Sequence, residues 1–381
     1  MNKSICILLF GIFCQIATSQ VSYETIESSK LGTSRDVKIQ LPRGYDPEGD
    51  ILYPLIIVLD GDYLFEPMIG IADYHSYWGD MPRSIIVGVN QSETRNSDLS
   101  YSDETKFPSD EGGAQFFEFV GMELIPYINE RYLASEFRIV VGHDLSANFL
   151  NYWLFKDKPL FRGYVAFSPD LSPEMVVRLQ ERLSTTSEDT FYYLATADGD
   201  VNRLRQETLA FNTALSAIDN PKIHYRFDDF TDADHYSLVG LGIPKAINEI
   251  FGLYKPISRK EYQEKLLTYE GSPYEYLIKK YEDIEFFYGF EKKVVENDLR
   301  AVLAAAKKKN DIEAAKDLSK LARKEYSESM ISAYYSGQYY EMEGNYKKAL
   351  QHYQSGLLLE ESEFISKDML LDKIYEIQDQ K

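Results

Sequence analysis

Residues 141–149 read VGHDLSANF, and their reading decides the fold. Just before them, "RIVV" (138–141) is an apolar strand; from about Ala147 to Phe155 the chain is patterned as a helix. A glycine, a reactive residue two places on and a small residue two places further, set between strand and helix, is the spacing of a nucleophile elbow. Such a turn lifts one side chain over the end of a sheet, and its flanks must be small because the chain passes close to its neighbours. Gly142 precedes Asp144 by two, and Ser146 and Ala147 follow it, so the turn is sterically satisfied. The serine form of this turn lifts a serine; here the lifted residue is Asp144. The N–H of Leu145 is expected to face the pocket as half of an oxyanion hole, with the other half from "LDGDY" (59–63), at Gly61, Asp62 or Tyr63.

Working outward, strands alternate with helices over about 220 residues. "RDVKIQLPRGYDPEGDILYPLIIVLD" (35–60) holds an alternating strand, a turn and a continuous apolar strand of the kind buried on both faces. Short apolar strands recur at 84–89, 163–167, 190–198 and 223–227, with helical periodicity at 112–132, 203–218 and 243–254. This predicts an α/β fold with a doubly wound, mostly parallel sheet. Residues 91–113 form one long connection leaving a strand end, where ligands bind in open sheets, and are expected to rim the pocket.

Beyond about residue 256 the chain turns rich in Tyr, Lys, Glu and Ala, without strand signals. A 34-residue period pairs Asn310 with Gly344, Ala315 with Ala349 and Ala322 with Gly356, and Gly337, Tyr340, Gly344, Tyr346, Ala349 and Tyr353 fall at tetratricopeptide offsets. Residues 256–381 are therefore expected to be an all-α, helical-repeat-like domain. Two copies are too few to stand alone, so it is expected to pack on the sheet domain and to offer a surface for a protein partner.

The formal charge of −20, from 61 acidic and 41 basic residues, argues against nucleic acid as a partner. Residues 1–19 read as an export leader: Lys3, the apolar run "ICILLFGIFCQIA" and the small-residue pattern "ATS". Export to the periplasm or the medium is expected, with residues 20–255 as the sheet domain and no membrane span after leader removal. Both cysteines, Cys6 and Cys14, lie in the leader, and Phe13 is too bulky for a lipoprotein site. The remaining chain offers no thiolate for catalysis or zinc.

Residues 35–60, 84–99, 112–168 and 190–252 together resemble the putative esterase family of α/β-hydrolases, which contains enterobactin-type esterases. The marks, in order, are "LPRGYD", "YPLIIVLDGD", "IIVGV" with "TRNSDL", "ELIPYINERY", "IVVGHDLSA", "FRGYVAFSPDL" and "DADHYSLV". The resemblance implies an α/β-hydrolase fold and a small-molecule substrate, with the nucleophile position on Asp144 and the catalytic histidine on His235. It places the orienting acid after "YYLATAD", on Asp198 or Asp200. His75, His143, His224 and His352 attract no comparable argument.

An aspartate changes the chemistry. Its attack on an ester would give an anhydride, and two carboxylates around one imidazole favour the protonated ring, whereas serine chemistry needs a neutral one. Ser146 cannot substitute, because two places along the turn its side chain points elsewhere. A carboxylate is competent at sp3 carbon, where it forms an alkyl ester that histidine-activated water cleaves. At this one residue "GHD" is similar to the epoxide-hydrolase and haloalkane-dehalogenase branches. The competing expectation is a catalytically inactive hydrolase fold that binds a ligand or docks a partner; a third, that Asp144 and His235 hold a metal or an amine, lacks tight ligand spacing. No metal and no cofactor are expected. The enzymatic reading requires the Asp144 carboxyl to project into a cavity within reach of the His235 imidazole.

Overall fold

The apolar runs on either side of VGHDLSANF become the middle of an eight-stranded sheet. The structure, a computed structural model, describes residues 21–379; the leader assigned to residues 1–19 lies outside the described residues. The strands are β1 (Val21–Ser28), β2 (Thr33–Gln40), β3 (Tyr53–Val58), β4 (Ile85–Val89), β5 (Ala134–His143), β6 (Gly163–Phe167), β7 (Thr190–Gly199) and β8 (Ile223–Asp234), in the order β1-β2-β4-β3-β5-β6-β7-β8. Pairing is antiparallel between β1 and β2 and between β2 and β4, and parallel elsewhere.

β3 is buried at every position because helices cover both faces. Its alternation splits it between two cores: Leu55 and Ile57 pack with Val140, Trp153 and Tyr192, while Ile56 and Val58 pack with Val141, Phe167 and Ile243. Several elements differ from the sequence reading: the helices Gly61–Tyr77 and Met175–Thr185 were not expected, and β8 runs on to Asp234 where a strand ending at 227 was expected. β1 was not foreseen, and the last helix of the sheet region begins at Ser237 and ends at Ile250, not near 243–254. Gly240, Gly242 and Pro244 depress helix propensity there, but burial of Leu238, Val239 and Ile243 outweighs it.

The connection 91–113 is no solvated excursion. It carries a short helix, Arg95–Asp98, pinned by a buried Arg35–Asp98 fork of 2.7 and 3.0 Å, and a bridge between Tyr101 and Pro108. A helical region follows the sheet with a third core of its own. The helix Pro273–Tyr288 joins it to the sheet region: the Tyr288 ring stands 5.1 Å from that of Phe137, and its hydroxyl donates to the Ile250 carbonyl at 2.9 Å. Further on, a Cβ at Gly337 would lie 2.2 Å from the Tyr353 ring, so this glycine lets two helices touch. Asn310 and Gly344, 34 residues apart, both end a helix with positive φ (52° and 78°). Among the described residues no helix is long and apolar enough to cross a membrane.

Candidate active site

The site is assembled from the ends of β3, β5, β6 and β7 and from the loop that follows β8. At the end of β5 the chain turns at Asp144 with φ 61° and ψ −119°, then enters the helix Leu145–Phe149. A non-glycine residue in that region is strained by about 1–3 kcal/mol. The turn holds because the Asp144 N–H donates to the Phe167 carbonyl (3.0 Å) and its own carbonyl accepts from Asp170 N–H (3.2 Å). Gly142 is obligatory: a Cβ there would come within 2.6 Å of the Ser146 backbone. Ser146 is buried; its hydroxyl accepts from His143 N–H (2.8 Å) and reaches Asp60 Oδ2 (2.7 Å), so it braces the turn and does not face the pocket.

His235 lies just beyond β8, and its Nδ1 is 2.8 Å from Asp200 Oδ1. Burial pushes the Asp200 carboxyl up, but hydrogen bonds from His235, Ser168, Thr196 and the Val201 N–H outweigh it and bring the group down to about 2. An ionised acceptor means that Nδ1 carries a proton and points it at Asp200, and Nε2 has no partner among the described residues. Of the two positions left open for the acid, Asp200 is the one bonded to His235. Asp198 is exposed, and its carboxylate instead accepts the N–H of Asp232 (3.2 Å), a residue at φ 58° in the irregular end of β8.

The Asp144 carboxylate does not meet His235. No hydrogen bond or ion pair joins them among the described residues. Asp144 Oδ2 instead lies 3.4 Å from Nη1 of Arg95, and the side chain is 24% exposed. Arg95 is fixed by a fork to Asp60, 2.7 Å from Nε to Oδ1 and 3.0 Å from Nη2 to Oδ2, and by a bond to the His143 carbonyl (3.2 Å). Asp60 is 1% exposed, sits at φ 51°, and also accepts from Ser146 and from the Tyr63 hydroxyl (3.2 Å). It ties β3, the elbow and the 91–98 segment together.

Of the oxyanion candidates, the N–H groups of Leu145, Gly61 and Asp62 make no hydrogen bond among the described residues. Tyr63 is corrected: its N–H is spent on the Asp60 carbonyl (3.1 Å). The Asp62 carboxylate accepts from the N–H groups of Gln91 (2.6 Å) and Ser92 (2.9 Å), anchoring the loop.

Sequence reasoning missed His143. Its ring centroid lies 4.4 Å from that of His235, its Nε2 donates to the His235 carbonyl (2.9 Å), and Nδ1 lies 3.1 Å from the Tyr63 hydroxyl oxygen. Burial and the neighbouring His235 push it down to about 4, so the ring is a neutral strut. Its place next to the elbow was the available signal. Arg95 lay inside "TRNSDL" with nothing in its own pattern to single it out. Tyr236, 78% exposed, stands beside His235 with ring centroids 5.1 Å apart. Among the described residues no group of His, Cys, Asp or Glu is placed to hold a metal ion.

The sequence profile described as putative esterase matches residues 28–216. The chain is similar to a structure titled uncharacterised protein from Capnocytophaga ochracea DSM 7271, with 31% identity, TM-score 0.81, and coverage of 94% of this chain and 100% of that one. An IroE-like serine hydrolase from Shewanella oneidensis shares the fold at 20% identity and TM-score 0.61, covering 79% and 98%. The siderophore hydrolase EstA from Aspergillus nidulans does so at 15% and 0.52, covering 66% and 99%. No curated protein matches the chain in sequence.

Proposed function

The chain belongs to the putative esterase family of α/β-hydrolases, and from that premise we propose that it is a divergent hydrolase in which Asp144 forms a covalent ester with an sp3 carbon of a small neutral substrate, such as an epoxide or an alkyl halide. The carrying observation is a carboxylate on the strained elbow, with an Asp200–His235 pair nearby whose Nε2 is unoccupied. Asp144 attacks carbon; a halide departs with the bonding pair, whereas an epoxide oxygen keeps that pair as an alkoxide and is protonated by solvent water, the proton being restored to solvent when the Asp144 acid ionises at the end of the cycle. His235 Nε2 then takes a proton from water, and the hydroxide adds to the Asp144 carboxyl carbon. The N–H groups of Leu145 and of Gly61 or Asp62 are suited to the resulting oxyanion. Collapse expels an alkoxide, which takes the proton back from His235; the Asp144 acid ionises and the cycle closes.

A second reading, binding without turnover, is favoured by the Arg95–Asp144 ion pair, which offsets part of the attacking charge. In either case residues 20–255 form the pocket domain, residues 256–381 form a repeat-like domain with a surface for a protein partner, and the leader supports export to the periplasm or the medium.

Short p-nitrophenyl esters, styrene oxide and alkyl halides, offered to wild type, Asp144→Ser and His235→Ala, test this. Epoxide or halide turnover lost in His235→Ala supports the aspartyl ester. Ester hydrolysis gained only in Asp144→Ser shows an intact machine with an exchanged nucleophile. No turnover by wild type, with a ligand or partner still bound, favours the second reading.

A further inference from the structure

Arg95 makes four hydrogen bonds, and three of them are to groups that do not react: two to Asp60 and one to the His143 carbonyl. The guanidinium is planar, so these three fix its plane and leave Nη1 toward Asp144. Nη1 contacts Oδ2, while Oδ1 of Asp144 has no partner among the described residues. Resting on the aspartyl-ester reading, we propose that Arg95 is the positioning residue of this site: it holds Oδ2 and leaves Oδ1 as the atom that attacks carbon.

Two comparisons support orientation over quenching. The bond to Asp144 is the longest that Arg95 makes, 3.4 Å against 2.7, 3.0 and 3.2 Å. The Arg95 charge is already balanced by Asp60, whose side chain is 2% exposed. Asp60, Arg95 and Asp144 together thus carry one net negative charge, and that charge is on the exposed member. A carboxyl group otherwise turns freely about its last torsion, which is broad and two-fold. Holding one oxygen removes that freedom before the reaction, the kind of pre-orientation that lowers a barrier. The pinning of the loop on its other side, through Asp98 and Arg35, keeps Arg95 from following a mobile carboxylate. After esterification Arg95 and Asp60 remain as a neutral pair, so the intermediate strands no charge.

The test uses full-length protein in the His235→Ala background, where the ester forms but is not cleaved. Styrene oxide is added, and the alkyl adduct on the Asp144 peptide is followed by mass spectrometry. Arg95→Ala is expected to slow adduct formation by about tenfold or more, with rate regained in Arg95→Lys and on adding guanidinium ion to Arg95→Ala at sub-denaturing concentration. Because Arg95→Ala leaves the buried Asp60 unpaired, Asp60→Asn/Arg95→Ala is run against Asp60→Asn as a second pair that avoids this cost. An unchanged rate without the arginine overturns the proposal. So does a slowed rate that neither lysine nor guanidinium relieves, which would make Arg95 merely structural. No adduct with Arg95 in place overturns the aspartyl-ester reading, and this inference with it.

Discussion

Asp200 Oδ1 lies 2.8 Å from His235 Nδ1, and this one bond sets both the tautomer and the direction of the ring. Asp198, two residues earlier, is bonded instead to the backbone of Asp232. If His235 is the base that activates water, Asp200→Asn loses the ring's orientation and tautomer together. Turnover is expected to fall about 100- to 10,000-fold, while Asp198→Asn stays within about twofold. Steady-state kinetics on the two variants checks the assignment.

The same carboxylate is a store of acid-sensitive stability. Its folded value is about 2, against about 3.9 for a free aspartate. A depressed carboxyl contributes stability in full above the unfolded value and loses it as the pH falls through the folded one, here between about pH 4 and 2. The contribution is at most about 2.6 kcal/mol. Urea midpoints over that range should fall for wild type and fall less for Asp200→Asn.

His143 titrates in a different window. Its folded value, about 4, is below the ordinary histidine value, so the unfolded chain binds the extra proton. Stability from its neutral form is complete above about pH 6.5 and declines toward pH 4. His143→Gln removes the titrating group, so its urea midpoint should change less between pH 7 and 4.5 than that of wild type. The variant should also lose the strut behind His235.

Gly142→Ala tests the elbow itself. The added methyl meets the Ser146 carbonyl carbon and oxygen at 2.6 Å and the Ala147 nitrogen at 2.8 Å, all of them backbone atoms that cannot rotate away. A loss of about 1–3 kcal/mol is expected, read by denaturant unfolding. A Cβ at Gly70 meets nothing within 4 Å, and Gly70→Ala in the same assay should be neutral or slightly stabilising.

The fold was legible because its signals are local. β3, β4 and β6 are buried throughout and appear as unbroken apolar runs, and the elbow needs small residues at fixed offsets. β1 was not: it is an edge strand with mixed burial, and "VSYETIES" carries no clean alternation. In the site, Asp144 and His235 were legible through the turn and the family's residue order. Which of Asp198 and Asp200 bonds to His235 was not, since the two lie two residues apart at the end of β7, where the pairing with β8 turns irregular between Ala197 and Gly199. Arg95 was hidden for another reason. Its partners, Asp60, His143 and Asp144, lie 35, 48 and 49 residues away, and no local pattern records such contacts.

The central claim is that the oxygen delivered to the product's carbon comes from Asp144. A single turnover in H₂¹⁸O, with enzyme in excess over styrene oxide, reads this directly by mass spectrometry of the diol and of the Asp144 peptide. The account predicts an unlabelled diol and one ¹⁸O in the Asp144 carboxylate. Label in the diol after that first turnover, or no diol at all, would contradict it.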